Sequence, residues 1–331
     1  MKVISTPSGT GILAKVLVFA LTVSVFFSAQ AQTDTRIGGR TETVDTGHWK
    51  PGQVRFDTNR WVEVIVGDMP LVISVPHGGL VHAEAIADRD CNDVGRVVRG
   101  VDRHTMETAR AIERVFLRKY GKRPTFIIAH LSRRKVDQNR EIRLATCGDP
   151  VGEAAWHYYH ASVDSALAYT VGQFGHSAFI DLHGHGHANQ RLELGVMLTK
   201  DHLQDAYRDR HLDALAKRSS LYNYLVHHPH VAFKDIIFGR HAFGSLLYRH
   251  GVPATPARQD PHPVGDEKFF SGGYITERYT SADYPTVYGW QIECHYRGIR
   301  DNEANREAFA EALGKAYYGF TDKFPFHVKK M

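Results

Sequence analysis

The chain has 331 residues, a formal charge of +5, three cysteines and 21 histidines, about one residue in sixteen. With 43% hydrophobic and 23% charged residues the composition excludes a disordered or fibrous chain, and the length can bury a substantial core in one or two domains. Imidazole is the side chain most used to bind transition metals and to move protons near neutral pH. The histidine excess therefore favours metal or acid–base chemistry over a structural role.

Residues 1–31 read as a secretory signal peptide. Lys2 and Lys15 carry positive charge, Val16 to Phe27 is apolar, and Ala29-Gln30-Ala31 gives a small-x-small cleavage pattern. The apolar run of 12 residues falls short of the roughly 20 that span a bilayer, which favours a cleaved leader over an uncleaved anchor. No later stretch is long or apolar enough for a membrane helix. The mature chain, 32–331, is expected to be exported, periplasmic or secreted, with no stable membrane association. Cleavage removes two lysines and no acids, so the charge falls from +5 to +3. The remaining basic residues are scattered, without the basic stripe and interleaved aromatics of a nucleic-acid binder.

Export changes how the cysteines read. Cys91 and Cys147 lie in polar, turn-like segments and can pair in an oxidising compartment, while Cys294 sits in an apolar run and reads as a buried free thiol. Other pairings stay open. No CxxC is present, which argues against a cysteine zinc site.

Along the chain, residues 32–58 are polar and read as an extended lead-in. Leu71 to Val75 is a β-branched run ended by Pro76-His77-Gly78-Gly79, a buried strand entering a turn. A helical pattern opens at Asp102 and stops at Gly121. Pro124 to Ala129 predicts a buried strand and Glu153 to Phe174 a helix. Ser177 to Leu182 predicts a strand, and the glycines of His183-Gly-His-Gly-His187 predict that it breaks into a loop. Leu192 to Thr199 reads as a strand and Asp201 to Tyr224 as helical, while 236–247 is ambiguous. A loop rich in Pro and Gly covers 251–274, Thr286 to Cys294 is a strand, and Asn302 to Tyr318 closes the chain as an amphipathic helix. Apolar strands alternating with helices predict a single α/β domain with a mixed, mostly parallel sheet covered on both faces.

Ionisable residues gather at the ends of the predicted strands, where ligand sites of open α/β sheets lie. His77, beside two glycines, can face a crevice or be an ordinary turn histidine. His183 is nearest its strand end, with Asp181 placed to accept its second N–H as metal-bound histidines usually require. His185 and His187 are further donors or members of a solvated loop. Arg133, Arg134, Asn139 and Arg140 follow another strand; such a run is often solvated, but beside a metal it suits an anionic substrate, because arginine forks bind carboxylate bidentately. Glu293 lies in an apolar strand, where a carboxylate needs a partner, a cation or a catalytic task. The alternative is the solvated face of an edge strand.

In order, Val75-Pro-His-Gly-Gly79, Val101-Asp-Arg-His104, Ser132-Arg-Arg-Lys-Val-Asp-Gln-Asn-Arg140, Tyr158-Tyr-His160, Asp181-Leu-His183, Gly272-Gly-Tyr274 and Gln291-Ile-Glu293 resemble the N-formylglutamate amidohydrolase family. The likeness spans residues 70–320. It implies a three-layer α/β/α, zinc-carboxypeptidase-like fold and a Zn2+ cofactor. It also implies zinc ligands at His77 and His183. Carboxypeptidases follow their first histidine with an acid, but here Gly78-Gly79-Leu80 stands in that place, so Asp102 takes the third position, with Asp88 or His185 as fallbacks. Asn139 and Arg140 match a pair that grips a substrate carboxylate, assisted by Arg133. Arg134 is assigned to the oxyanion, and Glu293 matches a general base. The expected reaction is zinc-dependent hydrolysis of the amide of an N-acyl amino acid or related carboxylate-bearing substrate, with water activated by metal and Glu293. N-formylglutamate hydrolysis is cytoplasmic, whereas the leader predicts export. An exported zinc carboxypeptidase, or a γ-glutamyl or cell-wall peptidase acting on short peptides, is therefore an alternative. A non-catalytic, His-rich metal-binding protein is a third reading.

Overall fold

The computed structural model describes residues 46–326; the expected leader lies outside them. Among the described residues no helix is long and apolar enough to cross a membrane. The strands are β1 (Val54–Phe56), β2 (Val62–Ile65), β3 (Leu71–Val75), β4 (Thr125–Ala129), β5 (Ser177–Gly184), β6 (Leu192–Gly195), β7 (Ala254–Thr255) and β8 (Val287–Cys294). They form one sheet in the order β1-β2-β4-β3-β5-β8-β6-β7. Its centre, β4-β3-β5-β8, is parallel, and β2 and β6 join it antiparallel. The helices are α1 (Thr105–Tyr120), α2 (Ile142–Thr146), α3 (Pro150–Phe174), α4 (Lys200–Tyr207), α5 (Leu212–Arg218), α6 (Tyr222–His227), α7 (Phe233–Phe238), α8 (Phe243–Arg249), α9 (Tyr274–Tyr279) and α10 (Glu303–Lys323).

Strand side chains alternate between faces, and the two faces meet different helices. Ile73, Val75, Ile180, Leu182, Trp290 and Ile292 pack with α1, α8 and α10 in the larger core. Val72, Phe179 and Val287 face the other way, against Tyr159, Val163 and Leu167 of α3 and Ile275 and Tyr279 of α9. Burying each such aliphatic or aromatic side chain stabilises by about 1.5–3 kcal/mol. Toward the carboxyl ends of the strands, positions of the same alternation as Val72, Phe179 and Val287 become polar: Ser74, Asp181, His183, Gln291 and Glu293, all buried. This is the α/β, mixed and mostly parallel architecture expected from the alternating apolar segments.

Several boundaries differ from the sequence reading. The helix after Asp102 starts at Thr105, because His104 holds a left-handed backbone (φ 65°) that a helix cannot contain. Asp102 is thereby left on the preceding loop. The segment 201–224 is three helices, not one. Left-handed Asp209 (φ 61°) and His211 (φ 53°) break it first, and extended Ser219 (ψ 149°) breaks it again. The ambiguous 236–247 stretch covers the end of α7, a turn and most of α8, and β5 continues through His183 to Gly184 before the chain turns. The polar lead-in hides β1, and β2 carries a buried carboxylate, Glu63, bonded by Arg110 Nη2 at 2.5 Å and His130 Nε2 at 2.8 Å.

Cys91 and Cys147 form a disulfide, and Cys294 is a buried free thiol. The bridge links the loop after β3 to the end of α2 across 56 residues, a closure worth about 4 kcal/mol in unfolded-chain entropy. Replacing both cysteines by serine should lower the free energy of unfolding by about that much, measured by denaturant titration of wild type and double variant under oxidising conditions. Equal midpoints would show that the bridge does not stabilise the fold.

Candidate metal centre and active site

Three chain segments deliver the donors. β3 ends at Val75 and the next turn presents His77, β5 carries His183 within its last residues, and the loop before α1 presents Asp102. Close approach at Gly78 makes this possible. A Cβ there would stand 2.6 Å from Thr105 Oγ1, so only glycine lets the start of α1 pack against the turn. The Asp102 N–H then donates to the His77 carbonyl at 2.9 Å, and the Gly184 N–H donates to Asp102 Oδ2 at 3.0 Å.

The imidazoles of His77 and His183 meet edge to face with centroids 4.7 Å apart. Each turns Nδ1 toward Asp102 Oδ2, at 3.5 Å and 3.2 Å. Each points Nε2 at another buried carboxylate: His77 at Asp137 Oδ1, 2.7 Å away, and His183 at Asp181 Oδ2, 2.8 Å away. Burial pushes the Asp137 carboxyl up, but the hydrogen bond from His77 and the charges of Arg133 and Arg89 outweigh it and hold the group well below the usual carboxylate range. Ionised Asp137 can only accept, so His77 donates through Nε2–H, and in the neutral ring Nδ1 carries the lone pair. Among the described residues that buried Nδ1 has no hydrogen-bond partner, and a carboxylate oxygen is what it faces.

Two lone-pair donors apposed in a buried site are unfavourable unless a cation lies between them. The nitrogen atoms and the carboxylate oxygen lie within 4.8 Å of one another. Two imidazoles and one carboxylate suit a catalytic divalent metal that keeps an open position, and Nε2-bound carboxylates are the usual support for such histidines. Asp181 is itself held, accepting from Ser74 Oγ at 3.0 Å, with Tyr159 of α3 2.8 Å from the same hydroxyl. The residues present fit a metal.

Beside this group is a cavity of about 130 Å³ lined also by Arg133, Asn139, Arg140, Gln291 and Glu293. The β5–β8 register sets Glu293 opposite His183, and burial pushes its carboxyl up to about 8 against the opposing charge of His183. Arg133 Nε donates to Asp137 Oδ2 at 2.8 Å, and Arg140 Nη1 donates to the Asn139 carbonyl at 2.7 Å. Of the residues chosen from sequence, the structure thus gathers His77, Asp102, His183, Arg133, Asn139, Arg140 and Glu293 at one cavity.

It does not bring Arg134 there. Arg134 is half exposed and pairs with Asp88, a residue 44% exposed, so the oxyanion assignment made for Arg134 is corrected and Asp88 is excluded as a ligand. Adjacent residues of a turn point different ways, and only Arg133 turns inward. His185 is excluded as well: its Nδ1 accepts from the His187 N–H at 3.1 Å and its Nε2 lies 2.9 Å from the Arg191 carbonyl. His187 pairs with Glu193 at 2.7 Å. These three could hold an ion by proximity alone, but both His185 nitrogens are already engaged.

The sequence reading gave no role to Asp137, Gln291 or Arg89. Arg89 lies fully buried behind the centre, donating to the carbonyls of Arg133, Leu144 and Val98 and standing 3.6 Å from Asp137. His160, buried and 4.0 Å from Trp156 by ring centroids, reaches Tyr279 and the Gln138 carbonyl, bracing the Asp137–Asn139 turn from α3.

No protein-family model and no curated protein matches the chain. Solved structures that the chain resembles include an N-formylglutamate amidohydrolase from Ralstonia eutropha, 15% identical with a TM-score of 0.43, covering 79% of this chain and 96% of that one. A gene product from Agrobacterium tumefaciens is 14% identical with a TM-score of 0.42 over 80% of this chain and 98% of its own. An N-acetylmuramyl-L-alanine amidase from Mycobacterium smegmatis is 12% identical with a TM-score of 0.38 over 78% and 99%.

The carboxylate behind His77 provides a test of the centre. Asp137→Asn should weaken retention of a divalent cation by about 10–100-fold, measured by competition with a chromophoric chelator. Unchanged affinity would show that Asp137 does not support a ligand.

Proposed function

We propose that the chain is a zinc-dependent hydrolase, a single catalytic domain over 32–331, that cleaves the amide of a small N-acyl amino acid or a related carboxylate-bearing substrate. One observation carries the reading: two buried imidazole Nδ1 atoms and Asp102 converge beside Glu293 in a cavity that also holds Arg133 and Arg140. The ordered motifs resembling N-formylglutamate amidohydrolases support the same chemistry. Export is supported by the Cys91–Cys147 bridge, since such bonds persist in oxidising compartments.

The geometry supports the following roles. His77, Asp102 and His183 would hold the zinc, which when bound supplies Lewis acidity to the amide carbonyl and to water. Glu293 accepts a proton from the attacking water and returns it to the leaving nitrogen, so water and amide become carboxylic acid and amine, which part as carboxylate and ammonium. Burial suits it to both steps, because a carboxyl with a raised pKa holds and releases a proton near neutrality. Arg140, with Asn139, binds the substrate carboxylate and keeps the reacting atoms close. Arg133 brings a cation to the developing oxyanion. A metal-sequestering role would leave Glu293 and the arginines without a task.

The test combines metal analysis with a panel of N-acyl amino acids. Purified protein should carry about one zinc per chain, lose turnover on chelation and recover it on zinc addition. Glu293→Gln should keep the metal but lose about 10²–10⁴-fold in kcat. Turnover undiminished after complete metal removal sinks the zinc reading, and full activity of Glu293→Gln sinks the assignment of the base.

A further inference from the structure

No step described above falls to Gln291, yet its surroundings are unusual. It precedes Glu293 by two residues on β8, so the two side chains share the face that lines the cavity. Gln291 Nε2 donates to Glu293 Oε1 at 2.9 Å; with Glu293 ionised, as a base about to take a proton must be, only this direction of the side-chain amide makes the bond, and it turns the carbonyl Oε1 away from the carboxylate. Among the described residues this buried Oε1 has no hydrogen-bond donor, a condition that folded proteins avoid at the large majority of buried polar atoms.

The space in front of that oxygen is kept open by Gly273. A Cβ there would stand 2.9 Å from Gln291 Oε1 and 2.5 Å from Asn139 Nδ2. The backbone of Gly273 is ordinary extended chain (φ −138°, ψ −174°), which any residue adopts. Glycine is therefore not needed there for its conformation; what it provides is room beside two amide side chains. Asn139 is occupied in its turn, with Oδ1 accepting from the Ile275 N–H at 2.8 Å and Nδ2 lying 3.2 Å from His183 Nε2. Gln291 Oε1 is the acceptor left over.

We propose that Gln291 Oε1 accepts the N–H of the scissile amide, making Gln291 a catalytic residue that selects amides over esters. The inference rests on the hydrolase reading and deepens it. A trans secondary amide points its N–H opposite its C=O, so a site that activates the carbonyl at one wall needs an acceptor for the N–H at another. Holding the N–H also sets where the nitrogen lone pair points as the bond to carbon breaks, and that lone pair must receive the proton Glu293 returns. An ester has no N–H and leaves Oε1 unpaired, the situation in which a polar site rejects an isosteric substrate.

The experiment measures kcat/KM for N-formyl and N-acetyl amino acids against the matching O-acyl 2-hydroxy acids, in wild type, Gln291→Met and Gly273→Ala. Methionine preserves length while removing both the donor to Glu293 and the acceptor. The alanine leaves Gln291 in place and covers its oxygen, which keeps the test decisive if the first variant folds poorly. Loss of the Nε2 bond to Glu293 lowers amide and ester turnover together, whereas loss of the acceptor lowers only the amide. The amide-to-ester ratio should fall by about tenfold or more in both variants. Equal losses on amide and ester in both variants overturn the proposal while leaving the hydrolase reading intact. A zinc-loaded wild type that hydrolyses no pair overturns the hydrolase reading, and this inference with it.

Discussion

The parallel pairing of β5 with β8 sets His183 opposite Glu293 and Asp181 opposite Gln291, and the chemistry of the site depends on that register. Because side chains alternate along each strand, these four groups leave the sheet on the same face. A slip by one residue would carry Gln291 and Glu293 into the apolar layer against α8 and α10 and bring Trp290 and Ile292 to the cavity. The long apolar side chains on the opposite face resist such a slip. The geometry of the site is therefore enforced by packing on the side of the sheet away from it.

Burying several carboxylates next to one another is unfavourable unless each is hydrogen-bonded or paired. Here the cost is spread along chains of contacts that reach the supporting helices. Tyr159, Ser74 and Asp181 lead to His183, and Arg89, Arg133 and Asp137 lead to His77. These chains share one outcome: Nε2 of each imidazole is anchored, so Nδ1 of each is aimed. Asp102 closes the set from a loop that the left-handed His104 prevents from becoming helix. A site made this way needs little rearrangement to receive a cation.

Much of this was legible in the sequence because buried parallel strands write themselves as apolar runs. Leu71 to Val75, 124–129, 177–182 and 286–294 could be read directly, and His77, His183 and Glu293 were singled out by interrupting or ending such runs. What escaped was direction and distance. Arg133 and Arg134 are adjacent and chemically alike, and only the turn geometry puts one on Asp137 and the other on Asp88 at the surface. Asp137 looked like part of a solvated charge run because its partner His77 lies 60 residues away. Arg89 sat in a polar segment that reads as exposed, although its guanidinium is fully buried among carbonyls. Gln291 gave no signal of its own, since an unpaired oxygen is a property of surroundings and not of residue type.

The histidine content takes on another meaning once the rings are placed. Away from the His77–Asp102–His183 group, burial holds His185 down to about 4 and holds His241, His250 and His295 below the ordinary imidazole range. His185, held at about 4, stays neutral through mild acidification. These four rings therefore take up protons at lower pH than free imidazoles would, so a count of 21 histidines overstates the buffering by their share. For a protein read as working outside the cytoplasm, where ambient pH is less controlled, a neutral His185 keeps the turn after β5 tied, its Nδ1 accepting from the His187 N–H and its Nε2 beside the Arg191 carbonyl.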